Sequence, residues 1–178
     1  MVESGALGGE KAAEWKAAHA NNETVKTHYE RAAQGHVESM AQLGFCYREG
    51  THGLEKDRTK AYEWFKMAAD KGHAASCTAV AIAYMNGEGV TRAVARSFYY
   101  LGMAAACGSE HACGMLGYAN ARGANTFGVD NVEASRWYFA MQNAPMKDGN
   151  DIYRKRAAEH LAAHPYVAPP FPPNPLSK

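Results

Sequence analysis

A pattern that returns every 36–37 residues constrains this chain more than any other feature. Leu43-Gly44-x-x-Tyr47-x-x-Gly50 is followed by Val80-Ala81-x-x-Tyr84-x-x-Gly87 and then by Leu116-Gly117-x-x-Asn120-x-x-Gly123. A second block trails each of them. The cleanest is Asp57-x-x-Lys60-Ala61-x-x-Trp64-Phe65-x-x-Ala68-Ala69-x-x-Gly72. Ser97-x-x-Tyr100-Leu101-x-x-Ala104-Ala105-x-x-Gly108 is looser, and Asp130-x-x-Glu133-Ala134-x-x-Trp137-Tyr138 decays after its aromatic pair. A partial copy, His28-Tyr29-x-x-Ala32-Ala33-x-Gly35, lies upstream. Self-similarity at this period marks a supersecondary unit that buries its apolar face against its neighbours.

Inside each unit, large and small residues recur three and four apart, which is the helical period. A small residue (Gly44, Ala81, Gly117) stands beside a large one in the first helix and admits a close neighbour. Gly50, Gly87 and Gly123 fit the left-handed position that ends a helix. Asp57 and Asp130 fit the N-caps of the second helices, and Asp130 with Glu133 has capping-box spacing. Gly35, Gly72 and Gly108 end the second helices. The chain holds 34 Ala against 11 Val plus Ile, a poor composition for a sheet. The expected fold is all-α, an α-solenoid of stacked antiparallel helix hairpins with about three repeats plus capping helices, eight or nine helices together.

Four segments follow from this. Residues 1–22 form an N-terminal segment with a leading helix over Glu10–Ala20. Residues 23–145 form the repeat array. Residues 146–164 close it with a charged helix running from Gly149 to Ala163. Residues 165–178 form a tail that holds six of the seven prolines, interleaved with Tyr166 and Phe171. That composition favours extended polyproline II and cannot continue the helices. The tail is either disordered or laid along its own solenoid or a partner, with Tyr166 and Phe171 as anchors.

Lys plus Arg is 19 and Asp plus Glu is 18, so the net charge is +1. This excludes a general electrostatic grip on nucleic acid or on an anionic membrane. No apolar run approaches the roughly 20 residues that span a bilayer. The first residues carry neither a secretory signal nor an Arg-rich transit segment. The expectation is a soluble protein of the cytoplasm or an organelle interior, reaching a membrane only through a partner. The sequon Asn22-Glu23-Thr24 reads as a chance match. Cys46, Cys77, Cys107 and Cys113 show no zinc-ligand spacing and read as reduced, mostly buried thiols.

Catalytic signatures are missing. There is no Ser-x-x-Lys, His-Glu-x-x-His, Walker A or Gly-x-Gly-x-x-Gly. His160 and His164 share a helix face, but no third ligand accompanies them, so they read as a solvated helix end. His36 and His73 recur with the repeat and read as structural residues between helices. No catalytic residue, metal or cofactor is expected.

These motifs resemble the Sel1-like repeat, a relative of the tetratricopeptide repeat. The resemblance runs from about Glu23 to Asn143 and is densest over Leu43–Gly50 and Ala61–Gly72. The family's Gly-Val element appears as Gly89-Val90 and Gly128-Val129, and as Gly53-Leu54 in the first repeat. Ala93 stands where an Asp belongs, Asn120 replaces a Tyr, and the last repeat loses its Ala-Ala-x-x-Gly ending. The resemblance implies an adaptor that assembles other proteins. It also suggests a cysteine-rich branch with hydrolase members, in which Cys77 and Cys113 match first-helix cysteines. Ala105 occupies the partner position, and Cys107 lies two residues further on, so a Cys77–Cys107 bridge stands as an alternative to free thiols.

By analogy with the tetratricopeptide fold, the first helix of each hairpin lines a concave face. That face presents Phe45 and Arg48, then Ile82 and Met85, then Tyr118 and Ala121. Phe45, Ile82 and Tyr118 form a ladder at the repeat offset. The ladder is either a groove for a peptide or helix, or partly buried packing between hairpins. The overall expectation is a non-catalytic protein–protein interaction scaffold, an accessory or assembly subunit of a larger complex. The alternatives are a transient peptide-binding adaptor and a hydrolase resembling the cysteine-rich branch.

Overall fold

The computed structural model describes residues 23–123, 128–144 and 151–166. The expected leading helix over Glu10–Ala20 lies outside them. Among the described residues there are eight helices and no strand. They are α1 (Glu23–Ala33), α2 (Val37–Glu49), α3 (Arg58–Asp70), α4 (Ala74–Asn86), α5 (Val94–Ala106), α6 (Glu110–Ala121), α7 (Asn131–Gln142) and α8 (Asp151–Ala163). The chain divides into two compact units, Met1–Ser109 and Glu110–Lys178. The first holds α1–α5, with each helix packed on the next. In the second, α6 pairs with α7, and α8 packs against both.

Hairpin closure repeats the same device. The N-cap amide of each second helix donates to the carbonyl at the tyrosine position of the first. Asp57 bonds Tyr47 at 2.9 Å, Ala93 bonds Tyr84 at 2.9 Å, and Asp130 bonds Asn120 at 3.0 Å. Because this is a main-chain contact, Asn120 replaces tyrosine without loss of the clasp. Gly50 and Gly87 end α2 and α4 in the left-handed region, at φ +71° and +75°.

The caps show how far local chemistry decides these helices. Asp57 accepts from the Lys60 amide and Asp130 from the Glu133 amide, each at 2.9 Å. The Asp57 carboxyl sits below the usual carboxylate range because it receives the Lys60 amide bond. Ala93 has the same extended backbone (φ −150°, ψ 91°) but no side-chain cap. Replacing Ala93 with Asp should therefore capture the Arg96 amide and add about 1 kcal/mol of stability. Urea denaturation measures this, and an unchanged midpoint would show that α5 gains nothing from a cap.

His36 and His73 also cap helices. Their Nδ1 atoms accept from the amides of Ser39 and Ser76, at 3.2 and 3.3 Å. An accepting Nδ1 is unprotonated, which leaves Nε2–H as the donor; in His73 it faces the Glu38 carboxylate at 3.2 Å. They are structural, as the repeat suggests, but their work is at a helix start.

Val25, Leu43, Val80 and Leu101 are fully buried in the first unit, alongside Tyr47, Trp64 and Phe65. Tyr29 packs edge-on against Trp64 at 5.4 Å, and its hydroxyl meets that of Tyr47 at 2.8 Å. Burial pushes the Tyr29 hydroxyl far above its usual range, so the pair stays neutral. Among the described residues, one buried side-chain polar atom is unsatisfied. Ser97 is fully buried and its hydroxyl has no hydrogen-bond partner. The equivalent residues of the flanking repeats are Ala61 and Ala134. Ser97→Ala should raise stability by about 1 kcal/mol by removing an unpaired buried hydroxyl. A fall in the denaturation midpoint would count against this.

Candidate functional site

Four of the residues expected on the concave face fall in the first unit, and two of them, Arg48 and Ile82, line one cavity. Phe45 is half-buried on α2, its ring edge-on to Phe65 with centroids 5.0 Å apart. The Arg48 guanidinium lies 4.8 Å above the Phe45 ring, a cation–π distance. Its Nε donates to Glu49 at 2.7 Å, and that bond holds the Glu49 carboxyl below its ordinary range. From α4, Ile82 and Met85 are half-buried on the helix that follows α3. Arg48 and Ile82 meet at a cavity of about 300 Å³ between the ends of α2, α3 and α4. Buried Ala61 and Phe65 form its floor, and exposed Lys56 and Arg58 stand on its rim.

Why the chain opens here follows from side-chain size. Gly44 lets the Phe65 ring lie against the α2 backbone, where a Cβ would fall 2.7 Å from it. The α4 side is lined by Ala79 and Ala83, whose methyl groups leave the space unfilled.

Tyr118 belongs to the second unit, where it is half-buried and side chains of α8 rest against it. The Arg156 guanidinium lies 4.2 Å above its ring, Arg122 approaches at 5.6 Å, and Tyr153 stands 6.3 Å away. Neighbouring Ala121 is half-buried. Tyr166 packs on Phe139 of α7, with ring centroids 5.5 Å apart, and the Ser135 hydroxyl fixes the preceding turn by donating to the His164 carbonyl at 2.9 Å. Phe171 lies outside the described residues.

An ion pair missing from the sequence reading anchors α8. The carboxylate of Glu110, almost fully buried, takes both arms of Arg154, at 2.8 and 2.9 Å. Arg154 also binds Asp151, and the Glu110 bonds lift its guanidinium further above its usual range. Forty-four residues separate the partners, so no local pattern signals the pair. Lys56 and Arg58 were missed because a cation beside a helix start reads as ordinary surface.

No disulfide joins the four cysteines, so the Cys77–Cys107 bridge is not formed. Cys77 points at the Ala69 carbonyl at 3.7 Å and Cys107 at the Gly72 carbonyl at 3.6 Å. Burial pushes the Cys77 thiol up to about 11, which leaves little thiolate for exchange. His160 and His164 have rings 4.8 Å apart, and His160 also rests on Tyr138. Among the described residues, no group of three or more His, Cys, Asp or Glu is placed to hold a metal, and no helix is long and apolar enough to cross a membrane.

Comparison with known proteins finds matches that fall on the three hairpins α2–α3, α4–α5 and α6–α7. A family model described as Sel1 repeat matches residues 37–73, 74–109 and 111–140. The chain is 37% identical over 59 residues to the ERAD-associated E3 ubiquitin-protein ligase component HRD3A of Arabidopsis thaliana, spanning 33% of this chain and 9% of that protein. It is 35% identical over 71 residues to chitin synthase regulatory factor 2 of Schizosaccharomyces pombe, spanning 40% of this chain and 14% of that protein. Among solved structures, a Sel1 repeat protein from Oxalobacter formigenes superposes with TM-score 0.63 at 22% identity, over 75% of this chain and 54% of that one. A protective antigen of uropathogenic Escherichia coli with the same repeat fold gives TM-score 0.68 at 23% identity, over 84% of this chain and 32% of that one. These two likenesses establish the fold, an all-helical solenoid. With matched repeats over more than half of its length and that fold beneath them, the chain belongs to the Sel1 repeat family.

Proposed function

We propose that this chain is a non-catalytic protein-interaction module that docks a partner on the first unit, across Phe45, Arg48, Ile82 and Met85, and serves as a small accessory subunit of a larger assembly. The observation that carries this reading is the partly exposed apolar row of α2 and α4 beside an open cavity. Apolar anchors beside a rim of three cations and two carboxylates suit a protein segment. The two curated relatives, a component of a ubiquitin ligase and a regulatory factor of a synthase, carry names that fit an accessory role. Tyr118 and Tyr166, engaged by α8 and α7 within the second unit, are secondary contacts.

The test is the native mass of the full chain in a gentle extract of its source. Co-elution far above 19.3 kDa with a constant set of companions is the expected result. Elution at its own mass would remove the subunit reading. Ile82→Asp with Met85→Asp should then release the companions while leaving the helical circular dichroism intact, because both side chains are only half-buried. Retention of every companion by that variant would retire the docking face.

A further inference from the structure

We propose that the cavity between α2, α3 and α4 is a specificity pocket for an acidic segment of a partner protein, taking one large apolar side chain flanked by carboxylates. This rests on the docking reading above and adds the chemistry of what is docked.

Size sets the first limit. At about 300 Å³ the cavity is at the bottom of the range for small-molecule sites and has room for one large side chain. Ala61, Phe65 and Ile82 line it with apolar groups, and the hydroxyl of neighbouring Tyr62 is already bonded to that of Tyr84 at 2.7 Å, which favours an apolar guest. The rim then selects by charge. Arg48, Lys56 and Arg58 face Glu49 and Glu88 around the opening. Arg48 and Glu49 are spent on each other at 2.7 Å. Lys56 still adds to holding the Glu49 carboxyl down, and Glu88 accepts from the Asn86 amide at 3.0 Å. Among the described residues Arg58 forms no ion pair, and neither it nor Lys56 makes a side-chain hydrogen bond that would keep it from a visiting carboxylate.

The repeat supplies an internal control. The residue after the N-cap is Arg58 in the first repeat, Val94 in the second and Asn131 in the third. The residue before the N-cap is Lys56, then Arg92, then Val129. Building a hairpin therefore requires no cation at either place. Arg92 is occupied, since its Nε donates to the Met85 carbonyl at 2.9 Å. The first repeat alone places two available cations at a cavity mouth. Arg58 also occupies the first turn of α3, where the helix dipole favours an anion over a cation. That position is thus kept basic against local preference.

The experiment is selection of a phage-displayed random peptide library on the full chain, followed by titration of synthetic copies of the enriched peptides. Enrichment of Asp or Glu beside Leu, Ile or Phe is expected. So is a loss of about tenfold or more in affinity for Lys56→Glu with Arg58→Glu, with none for Lys155→Glu, an exposed cation on α8. Glutamate at position 58 suits the start of a helix and the Lys56–Glu49 attraction is between exposed groups, so the charge reversal should leave the helical circular dichroism unchanged. Added salt should weaken the native complex and not the residual binding of the reversed variant. Peptides without acidic residues, binding indifferent to the charge reversal, or a library that yields no binder would each overturn the inference. Peptides that lose affinity only for the Ile82→Asp, Met85→Asp variant would overturn it while leaving the docking face in place. Failure of the docking face itself is read separately, by co-elution of the native chain.

Discussion

Replacing Gly89 with alanine is expected to destabilise the first unit by about 3 kcal/mol. Two costs combine. Gly89 has φ +70°, in the left-handed region, where a side chain costs roughly 1–2 kcal/mol. Its new methyl would also fall on the Arg58 carbonyl and close to the Thr59 amide, both backbone groups in the first turn of α3. That turn cannot retreat freely, because the Asp57 cap and the bond from Asp57 to the Tyr47 carbonyl fix it to α2. Gly53 separates the two costs. It has φ +78°, with nothing near the position of an added Cβ. Gly53→Ala should therefore show the backbone cost alone, about 1–2 kcal/mol. Urea denaturation of both variants gives the difference directly. Equal losses would mean that the loop holding Gly89 does not press on α3.

Gly44→Ala should cost about 2–3 kcal/mol through overpacking, since its methyl would sit 2.7 Å from the ring of Phe65. Phe65 is itself 3% exposed and braced edge-on by Phe45, so the ring cannot swing away. The chain contains its own solution to this crowding. Where the second repeat carries Ala81, its counterpart of Phe65 is Leu101; where the third carries Gly117, the counterpart is Tyr138, again 2.7 Å from the position of a Cβ. Phe65→Leu should thus relieve Gly44→Ala. In a double-mutant cycle the pair should be more stable than the sum of the single changes by about 1 kcal/mol or more. Additive losses would show that the glycine answers to something other than the ring.

These two glycines mark different kinds of legibility. The small residue beside a large one was visible as a repeat position, and its purpose, close approach of the second helix, could be inferred before any coordinates. Gly89 was visible only as half of a Gly-Val element. What it touches lies in another helix, some thirty residues earlier, and no spacing rule reports that. The histidines fall between. His36 and His73 recur with the repeat, so a structural role was apparent, but capping needs the Nδ1 geometry to recognise. In retrospect a Gly-His-x-x-Ser pattern at a helix start carries that signal.

The candidate site divides in the same way. Phe45, Arg48, Ile82 and Met85 could be named from register alone, because register fixes the face of a helix on which a residue stands. Whether that face is open depends on what the rest of the chain lays over it. Tyr118 occupies the same register as Phe45 and Ile82 and is half-buried as they are, but its neighbours are Arg156 and Tyr153 of α8.

By itself, then, the sequence determined the helices, their ends, the hairpin and its period. These depend on spacing, caps and glycine conformations that act within a few residues. Only the tertiary structure decided which face stays open, where Lys56 and Arg58 meet an apolar cavity, and how Glu110 and Arg154 fasten α8. Those outcomes come from side chains far apart in the chain competing for the same space, and local chemistry does not record which of them meet.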